Sequence, residues 1–180
     1  MAWEIELKAS LASPKEVEAL LTQRGFSPTH LEKEDVYFQG PTPLRLRREG
    51  SRWTVTSKAK TVIDGLEVNR ELEFEISDPE NFFRWVQLLG FSFWYKKSKR
   101  GRAYRWNDLL IEVVNVEPLG WFVEIEKILP DEADLSAQQN ARQEILTVLN
   151  QLQVPLENLE PKTYAELLGV RLGGKPLSES

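Results

Sequence analysis

The sequence predicts an α+β fold in which a mostly antiparallel β-sheet has one charged face and helices cover its apolar face. Charged and apolar residues alternate in five segments, and residues two apart share one face of a strand. The five segments are Glu4-Ile5-Glu6-Leu7-Lys8, Arg45-Leu46-Arg47, Lys58-Ala59-Lys60, Glu71-Leu72-Glu73-Phe74-Glu75 and Glu124-Ile125-Glu126-Lys127. Other segments place apolar residues at helical spacing, which predicts helices packed against the sheet.

The predicted strands are short, rich in β-branched and aromatic residues, and bounded by turn residues. They lie at about residues 2–9, 34–39, 43–49, 52–59, 66–76, 91–98, 101–107, 109–116 and 120–129. The turn sequences Arg48-Glu49-Gly50-Ser51 and Trp106-Asn107-Asp108 indicate hairpins, so the strands on either side of them should be antiparallel.

Four helices are predicted. Ser13 is the expected N-cap of the first, with Pro14 at the first helical position and Glu16 completing a capping box. The others are recognised from residues near their ends, which are Asp78-Pro79 for the second, Ser136 for the third, and Pro161 and Gly169 for the short fourth.

Length and composition indicate one folded domain. The chain has 180 residues, of which 41% are hydrophobic and six are Trp, so we expect a single domain over residues 1–170 and a flexible tail at 171–180. No apolar run is long enough to span a membrane, and no signal pattern begins the chain. The absence of Cys makes a cytoplasmic location the default. A net charge of -5 argues against a general nucleic-acid binder, although the 23 Lys and Arg can still line a cleft.

The alternating pattern allows two layouts of the eight or nine strands. In an open sheet, the charged face would be exposed to water and the helices would cover the other face. In a closed barrel, the charged face would line a lumen and the helices would pack outside, which also removes the exposed strand edges.

The charges of this face suit a polyphosphate and a metal ion. Glu4, Glu6, Glu124 and Glu126 supply hard oxygen ligands, and with His30 as the single His the favoured metals are Mg²⁺, Mn²⁺ or Ca²⁺. Basic residues that can hold phosphate oxygens are Arg45, Arg47, Lys58, Lys60 and the run at residues 96–102. The alternative is an ordinary solvent-exposed sheet face with acids and bases paired across strands.

The ordered set of motifs resembles the CYTH domain family, also called the triphosphate tunnel metalloenzyme superfamily. Its signature, Glu-x-Glu-x-Lys, is present as Glu4, Glu6 and Lys8. Further matches are Asp35-Val36-Tyr37-Phe38, Leu44-Arg45-Leu46-Arg47, Lys58, Arg70-Glu71-Leu72-Glu73, Leu89-Gly90-Phe91, the basic segment from Lys97 to Arg102, residues 116–126, and Tyr164-Ala165-Glu166-Leu167-Leu168. The similarity spans about residues 2–168.

The resemblance implies an eight-stranded antiparallel tunnel with helices outside, which binds a triphosphate and Mg²⁺ or Mn²⁺. The metal ligands it implies are Glu4, Glu6, Glu124 and Glu126, and the residues nearest the chemistry are Glu4, Glu6 and Lys8. The phosphate-binding residues are Lys8, Arg45, Arg47, Lys58, Lys60, Lys97, Lys99, Arg100 and Arg102, although a bulge at Gly101 would decide which of the last four point inward. Glu73 and Glu112 are the expected further acids of the lumen. The cyclases of the family have an Asp at the position of Val114, so metal occupancy or the choice of reaction is expected to differ from theirs.

These observations favour a metal-dependent enzyme that hydrolyses an inorganic or organic triphosphate such as ATP. The first alternative is a class IV adenylyl cyclase, which converts ATP to cyclic AMP and pyrophosphate. The second is a polyphosphate- or nucleotide-binding module without turnover. The expected partner is a triphosphate-containing small molecule rather than nucleic acid or a membrane, and a homodimer is the default oligomeric state.

Overall fold

Eight antiparallel strands close into a barrel in the computed structural model, which describes residues 1–63 and 66–170, with the backbone alone at residues 59 and 60. The strands are β1 (Ala2–Leu11), β2 (Thr29–Gln39), β3 (Leu44–Glu49), β4 (Arg52–Ile63), β5 (Leu66–Ile76), β6 (Ser92–Trp106), β7 (Leu109–Val116) and β8 (Gly120–Pro130). Their order around the barrel is β1-β5-β4-β3-β2-β6-β7-β8. The predicted α+β barrel is confirmed, and the predicted tail at residues 171–180 lies outside the described residues.

Among the described residues, three helices pack on the outer surface of the barrel, and residues of a fourth, short helix contribute to the lining of the lumen. They are α1 (Lys15–Gln23), α2 (Pro79–Leu88), α3 (Leu135–Gln151) and the single turn α4 (Tyr164–Leu167), and a 3₁₀ turn spans Leu156–Asn158. Within the described ranges, no helix has the length and apolar character needed to cross a membrane.

Strand pairing places the charged residues of neighbouring strands side by side. Lys8 lies opposite Glu124 and Glu6 opposite Glu126, while Glu4 lies opposite Asn69 on the other side of β1. Because residues directly opposite each other in a ladder share one face, the charged faces of all these strands form one continuous inner surface.

The apolar residues between the charged ones form the core outside the barrel. Ile5, Leu7 and Ile125 are fully buried beneath α3, against Ile145 and Leu149 of that helix. Burial of each such side chain contributes about 1.5–3 kcal/mol, so this layer fixes which face of each strand turns inward. A second cluster packs α2 onto the opposite wall.

The start of α1 differs from the prediction. Pro14, not Ser13, is the N-cap, and the Ser13 hydroxyl accepts a hydrogen bond from the Lys15 N–H at 3.3 Å. Ser13 lies one residue too far upstream to reach the second or third helical N–H, so the predicted capping box with Glu16 does not form. The predicted start of α2 at Asp78-Pro79 is confirmed, with Asp78 as the N-cap. The N-cap of α3 is Asp134, whose carboxylate accepts a hydrogen bond from the Ala137 N–H.

Strand β6 is continuous where the sequence predicted two strands. The register runs through Gly101 without a shift, since that glycine lets β7 approach closely: a Cβ there would lie 2.0 Å from the carbonyl oxygen of Val113. The bulge occurs elsewhere. Tyr37 pairs with Tyr95 and Phe38 with Phe93, which leaves Trp94 as the extra residue of β6.

Candidate active site

The lumen contains a cavity of about 420 Å³. It opens toward the connection between β2 and β3, where its lining residues Thr42 and Pro43 are exposed, whereas Lys8, Lys97 and Lys99 in its lining are buried. Its charged lining consists of Glu6, Lys8, Arg45, Arg47, Lys58, Glu67, Lys97 and Lys99. The remaining lining is polar or apolar and includes Tyr37, Trp94, Tyr95, Thr163 and Tyr164. The cavity therefore combines six basic side chains with two acids in one enclosed space.

Asp35 holds two of the basic side chains in place. Its carboxylate accepts hydrogen bonds from Arg47 Nε at 2.6 Å and Nη2 at 2.9 Å, and Lys97 Nζ lies 3.3 Å away. Burial alone would raise the pKa of Asp35, but Arg47 and Lys97 outweigh it and hold that pKa well below its ordinary value. Asp35 is thus ionised, and it fixes the guanidinium plane of Arg47.

Arg45 keeps hydrogen-bonding capacity for a ligand. Its Nη2 donates to the hydroxyl of Thr56 at 2.8 Å and lies 3.5 Å from Glu73 Oε2. Its Nε is buried and has no hydrogen-bond partner. Since a buried unpaired donor costs free energy, this nitrogen is suited to a phosphate oxygen that enters the cavity.

Tyr164 lies among three lysines at the inner end of the cavity. The ammonium groups of Lys8 and Lys97 each lie 4.4 Å from its ring centroid, and that of Lys99 lies 5.4 Å away. The Tyr164 hydroxyl donates to Glu124. The aromatic ring therefore brings three cations together without neutralising them.

Lys58 connects the basic wall to the acids of β1 and β5. Its ammonium group contacts Glu4 and lies 3.4 Å from Glu6 and 3.1 Å from Glu71. Burial would lower the pKa of Lys58, but these carboxylates raise it well above its ordinary value. Beside them, Asn69 is fully buried: its Nδ2 donates to Glu4 at 3.3 Å, and its Oδ1 has no hydrogen-bond partner.

A second buried ion-pair network crosses β2, β6, β7 and β8. Glu112 contacts Lys33 and lies 3.9 Å from Lys99, which also contacts Glu124. Burial opposes ionisation of Glu124, but Lys99 and Lys97 lower its pKa below the ordinary value. These two lysines therefore favour the ionised form of Glu124.

Two further acids of the lumen have raised pKa values. Burial, together with Glu4, Glu112 and Glu6, raises the pKa of Glu126 to about 8. Burial also raises the pKa of Glu6, and Lys58 only partly offsets it. These acids lie where a positive charge from outside the chain would be stabilising.

The oxygen atoms of Glu4, Glu6 and Asn69 are suitable ligands for a hard divalent cation. Glutamate oxygens and the unpartnered Oδ1 of Asn69 are the ligand types that Mg²⁺ and Mn²⁺ prefer. In the described part of the chain, no three His, Cys, Asp or Glu side chains converge closely enough to hold a metal ion. Lys58 lies between Glu4 and Glu6 instead, so a cation at these carboxylates has to displace its ammonium group.

Most of the predicted site residues are in the lumen. Those that line the cavity or join its ion pairs are Glu4, Glu6, Lys8, Arg45, Arg47, Lys58, Lys97, Lys99, Glu112 and Glu124. Glu126 is paired in register with Glu6, and Glu73 contacts Arg45 at the more exposed edge. Val114 is fully buried in an apolar cluster with Phe122 and Tyr164.

Two predicted phosphate-binding residues are not in the lumen. Arg100 bonds Glu32 at 3.0 Å and Arg102 bonds Glu18 at 2.7 Å, both on the outer surface. Because β6 continues through Gly101, residues 97 and 99 face inward and residues 100 and 102 face outward, so their assignment to the site was wrong. The side chain of Lys60 lies outside the described residues.

Several lumen residues were missed as site residues. Lys33 was missed because β2 begins at Thr29, not at residue 34 as predicted. Lys33, Asp35 and Tyr37 are spaced two residues apart in β2, so all three side chains face the lumen. Asn69, Glu71 and Glu73 are spaced two residues apart in β5 and share one face of that strand. In a closed barrel, this spacing identifies Asn69 as a lumen residue. The bulge that turns Trp94 toward the cavity has no glycine or proline that would have revealed it.

Comparison with known proteins identifies the family. A protein from Methanocaldococcus jannaschii named "putative adenylate cyclase" is 27% identical over 176 residues, which cover 93% of this chain and 99% of that protein. The solved structure of the PH1012 protein from Pyrococcus horikoshii has a TM-score of 0.78 and 30% identity, covering 91% of this chain and 98% of that one.

A more distant structure has the same fold. It is a Hippeastrum protein described as a putative adenylyl cyclase with a dominant triphosphatase activity, with a TM-score of 0.65 and 17% identity over 96% of this chain and 98% of that one. The CYTH domain model matches residues 2–164. The chain therefore belongs to the CYTH domain family.

Proposed function

We propose that this protein is a divalent-metal-dependent enzyme that hydrolyses a triphosphate bound in the barrel lumen. The supporting observation is the arrangement of the cavity, where Lys8, Arg45, Arg47, Lys97 and Lys99 form a basic wall and Lys58 joins it to the acids of β1 and β5. A triphosphate carries negative charge along its whole length. Several neighbouring cationic side chains, together with a metal ion, can compensate that charge.

Family membership implies a divalent cation, and we propose Mg²⁺ or Mn²⁺ as its identity. Glu4 and Glu6 are the proposed ligands, with Asn69 Oδ1 beside them and Glu124 and Glu126 on the adjoining strand. When bound, the cation supplies charge neutralisation and polarisation of a phosphoryl oxygen. The protein supplies the positions: β1 and β8 fix the carboxylates, and Asp35 and Tyr164 orient the cationic side chains.

In the proposed reaction, water attacks the γ-phosphorus and the bond between that phosphorus and the β–γ bridging oxygen breaks. The products are orthophosphate and the remaining diphosphate. Arg45 and Arg47 offer planar forks to the phosphate oxygens, and Lys8, Lys97 and Lys99 act as point charges that stabilise the charge on the leaving oxygen.

Adenylyl cyclase activity is the second candidate. It is favoured by the name of the Methanocaldococcus jannaschii relative, which matches nearly the whole chain. The same lumen would then present the α-phosphorus of ATP to the ribose 3′-hydroxyl, releasing cyclic AMP and pyrophosphate. For the Hippeastrum protein of the same fold, the triphosphatase activity is described as dominant, so we place hydrolysis first.

Product analysis separates these functions. Tripolyphosphate, ATP and thiamine triphosphate are offered in parallel, first with Mg²⁺ and then with Mn²⁺. Release of orthophosphate establishes a triphosphatase, and cyclic AMP with pyrophosphate establishes the cyclase. Tight tripolyphosphate binding without any product would instead establish a non-catalytic binding module.

Glu6→Gln tests the metal assignment. It removes one carboxylate charge at nearly constant volume, and we expect it to abolish metal-dependent turnover while the barrel stays folded. Glu32→Gln is the matched control, since Glu32 lies on the outer surface and pairs with exposed Arg100. Activity of Glu6→Gln near that of the control would exclude Glu6 from the metal site.

A further inference from the structure

We propose that the mouth of the cavity is a binding site for a planar heteroaromatic group attached to the triphosphate, so that the preferred ligand is an organic and not an inorganic triphosphate. The inference rests on the proposed function, because it assumes that the phosphates occupy the basic wall. Its central residues are Trp94 and Tyr95.

The bulge in β6 creates this aromatic mouth. In a regular strand, Trp94 and Tyr95 would point to opposite faces of the sheet. The extra residue between the pairs Tyr37–Tyr95 and Phe38–Phe93 breaks that alternation, and both Trp94 and Tyr95 line the cavity. Bulges that redirect a side chain in this way are common beside active sites.

The two rings form a corner. Their planes are at 90°, with ring centroids 4.8 Å apart, and the other neighbour of Tyr95 is Tyr37, stacked at 4.3 Å and 2°. An incoming planar group can stack on one ring of such a corner while its edge meets the face of the other. Pro43, Leu44 and Ala165 line the same cavity and complete an apolar rim.

A continuous set of contacts joins this rim to the basic wall. Lys97 Nζ donates to the Tyr37 hydroxyl at 3.1 Å, Tyr37 stacks on Tyr95, and Tyr95 contacts Trp94. Residues 95 and 97 are two apart on one strand, a separation of about 7 Å. A group attached to a phosphate held at Lys97 is therefore within reach of the aromatic corner. Tripolyphosphate carries no apolar group and cannot use an apolar rim.

The test compares equilibrium binding of ATP, thiamine triphosphate and tripolyphosphate by calorimetry, using analogues whose bridging oxygens are replaced by methylene groups. These analogues cannot be cleaved at the bridges, so binding is measured with Mg²⁺ present and without turnover. Trp94→Ala should weaken binding of at least one of the two organic triphosphates about 5- to 150-fold, the range expected for loss of one base–aromatic stack. Its affinity for tripolyphosphate should stay within about twofold of wild type, since no stack is lost there. Comparison of ATP with thiamine triphosphate identifies which ring system the corner prefers.

Two variants control for folding. Trp94→Phe keeps a stacking surface and should retain most of the affinity for the organic ligand. Phe93→Ala removes the adjacent aromatic residue, which pairs with Phe38 and is 49% exposed, and should leave all three affinities unchanged.

Three results would overturn the inference. If Trp94→Ala leaves binding of all three compounds unchanged, the mouth does not recognise the organic group, although the proposed function stands. If it weakens tripolyphosphate binding as much as ATP binding, Trp94 has a structural role only. If wild type binds none of the three, the proposed phosphate site fails and the inference fails with it.

Discussion

Replacing Asp35 with asparagine removes the negative charge between two buried cations. Asp35 is fully buried, with Arg47 in two hydrogen bonds of 2.6 and 2.9 Å and Lys97 at 3.3 Å. Arg47 and Lys97 keep their charges in the variant, so each is left partly uncompensated in a lumen that already concentrates cations. Breaking a buried ion pair by removal of one partner costs about 3–5 kcal/mol, and we expect Asp35→Asn to lower the free energy of unfolding by that amount.

Urea unfolding at neutral pH measures this loss, and Glu34→Gln is the matched control. Glu34 is the next residue of β2, on the outer surface, where it lies 3.6 Å from Arg48 with both side chains about half exposed. Such an exposed pair contributes about 0–1 kcal/mol. A loss for Asp35→Asn no larger than that of the control would refute the positioning role of Asp35.

The pH dependence gives a second check with a definite sign. The folded protein holds the pKa of Asp35 well below its ordinary value, so the stabilisation is fully present above the unfolded pKa of about 3.9. It is lost as the pH falls through the lower folded pKa, where wild type also becomes neutral at this position. The difference between wild type and Asp35→Asn should therefore be constant near neutral pH and shrink in acid. A difference that persists unchanged in acid would mean that the charge of Asp35 is not its source.

Two further substitutions test the phosphate wall and the barrel. Arg45→Ala should weaken tripolyphosphate binding by about 1.5–3 kcal/mol, the value of a hydrogen bond to a charged group, and an unchanged affinity by calorimetry would place Arg45 outside the phosphate site. Gly101→Ala should destabilise the fold by about 1–3 kcal/mol, because the new Cβ would lie 2.0 Å from a backbone oxygen of β7, and an unaltered urea midpoint would contradict that close approach.

Period-two patterning accounts for most of what the sequence predicts correctly. Glu4, Glu6 and Lys8 alternate with Ile5 and Leu7, and the structure places the first set in the lumen and the second in the core. Burial of the apolar set determines the inward face of each strand, so the charged set follows without further information. The pattern alone left open whether the sheet closes, because an open sheet with a solvent-exposed charged face has the same alternation.

The incorrect predictions from the sequence arise where the backbone geometry of one strand depends on a neighbouring strand. Gly101 suggested a bulge or a break, yet it is required for the close approach of Val113 in β7, which no local pattern reveals. A continuous strand sends Arg100 and Arg102 outward, so this single misinterpretation accounts for both wrongly assigned residues. The bulge at Trp94 was missed for the same reason, since it is set by the pairing of β6 with β2.

The pairing of lumen charges also constrains what can bind there. Lys58 is paired with Glu4 and Glu6, Lys99 with Glu124, and Arg47 with Asp35, so the charges of these lumen side chains largely compensate one another. A polyphosphate alone would bring several negative charges toward Glu6 and Glu126, whose pKa values are already raised by their surroundings. A divalent cation alone would have to displace Lys58 from Glu4 and Glu6 and leave Glu71 as its remaining acidic partner, which is costly in a buried site. If the two arrived together, the carboxylates would hold the cation and the freed Lys58 would bind a phosphate oxygen, so no buried charge would be left unpaired. The electrostatics of this barrel therefore favour a metal-bound triphosphate over either component alone.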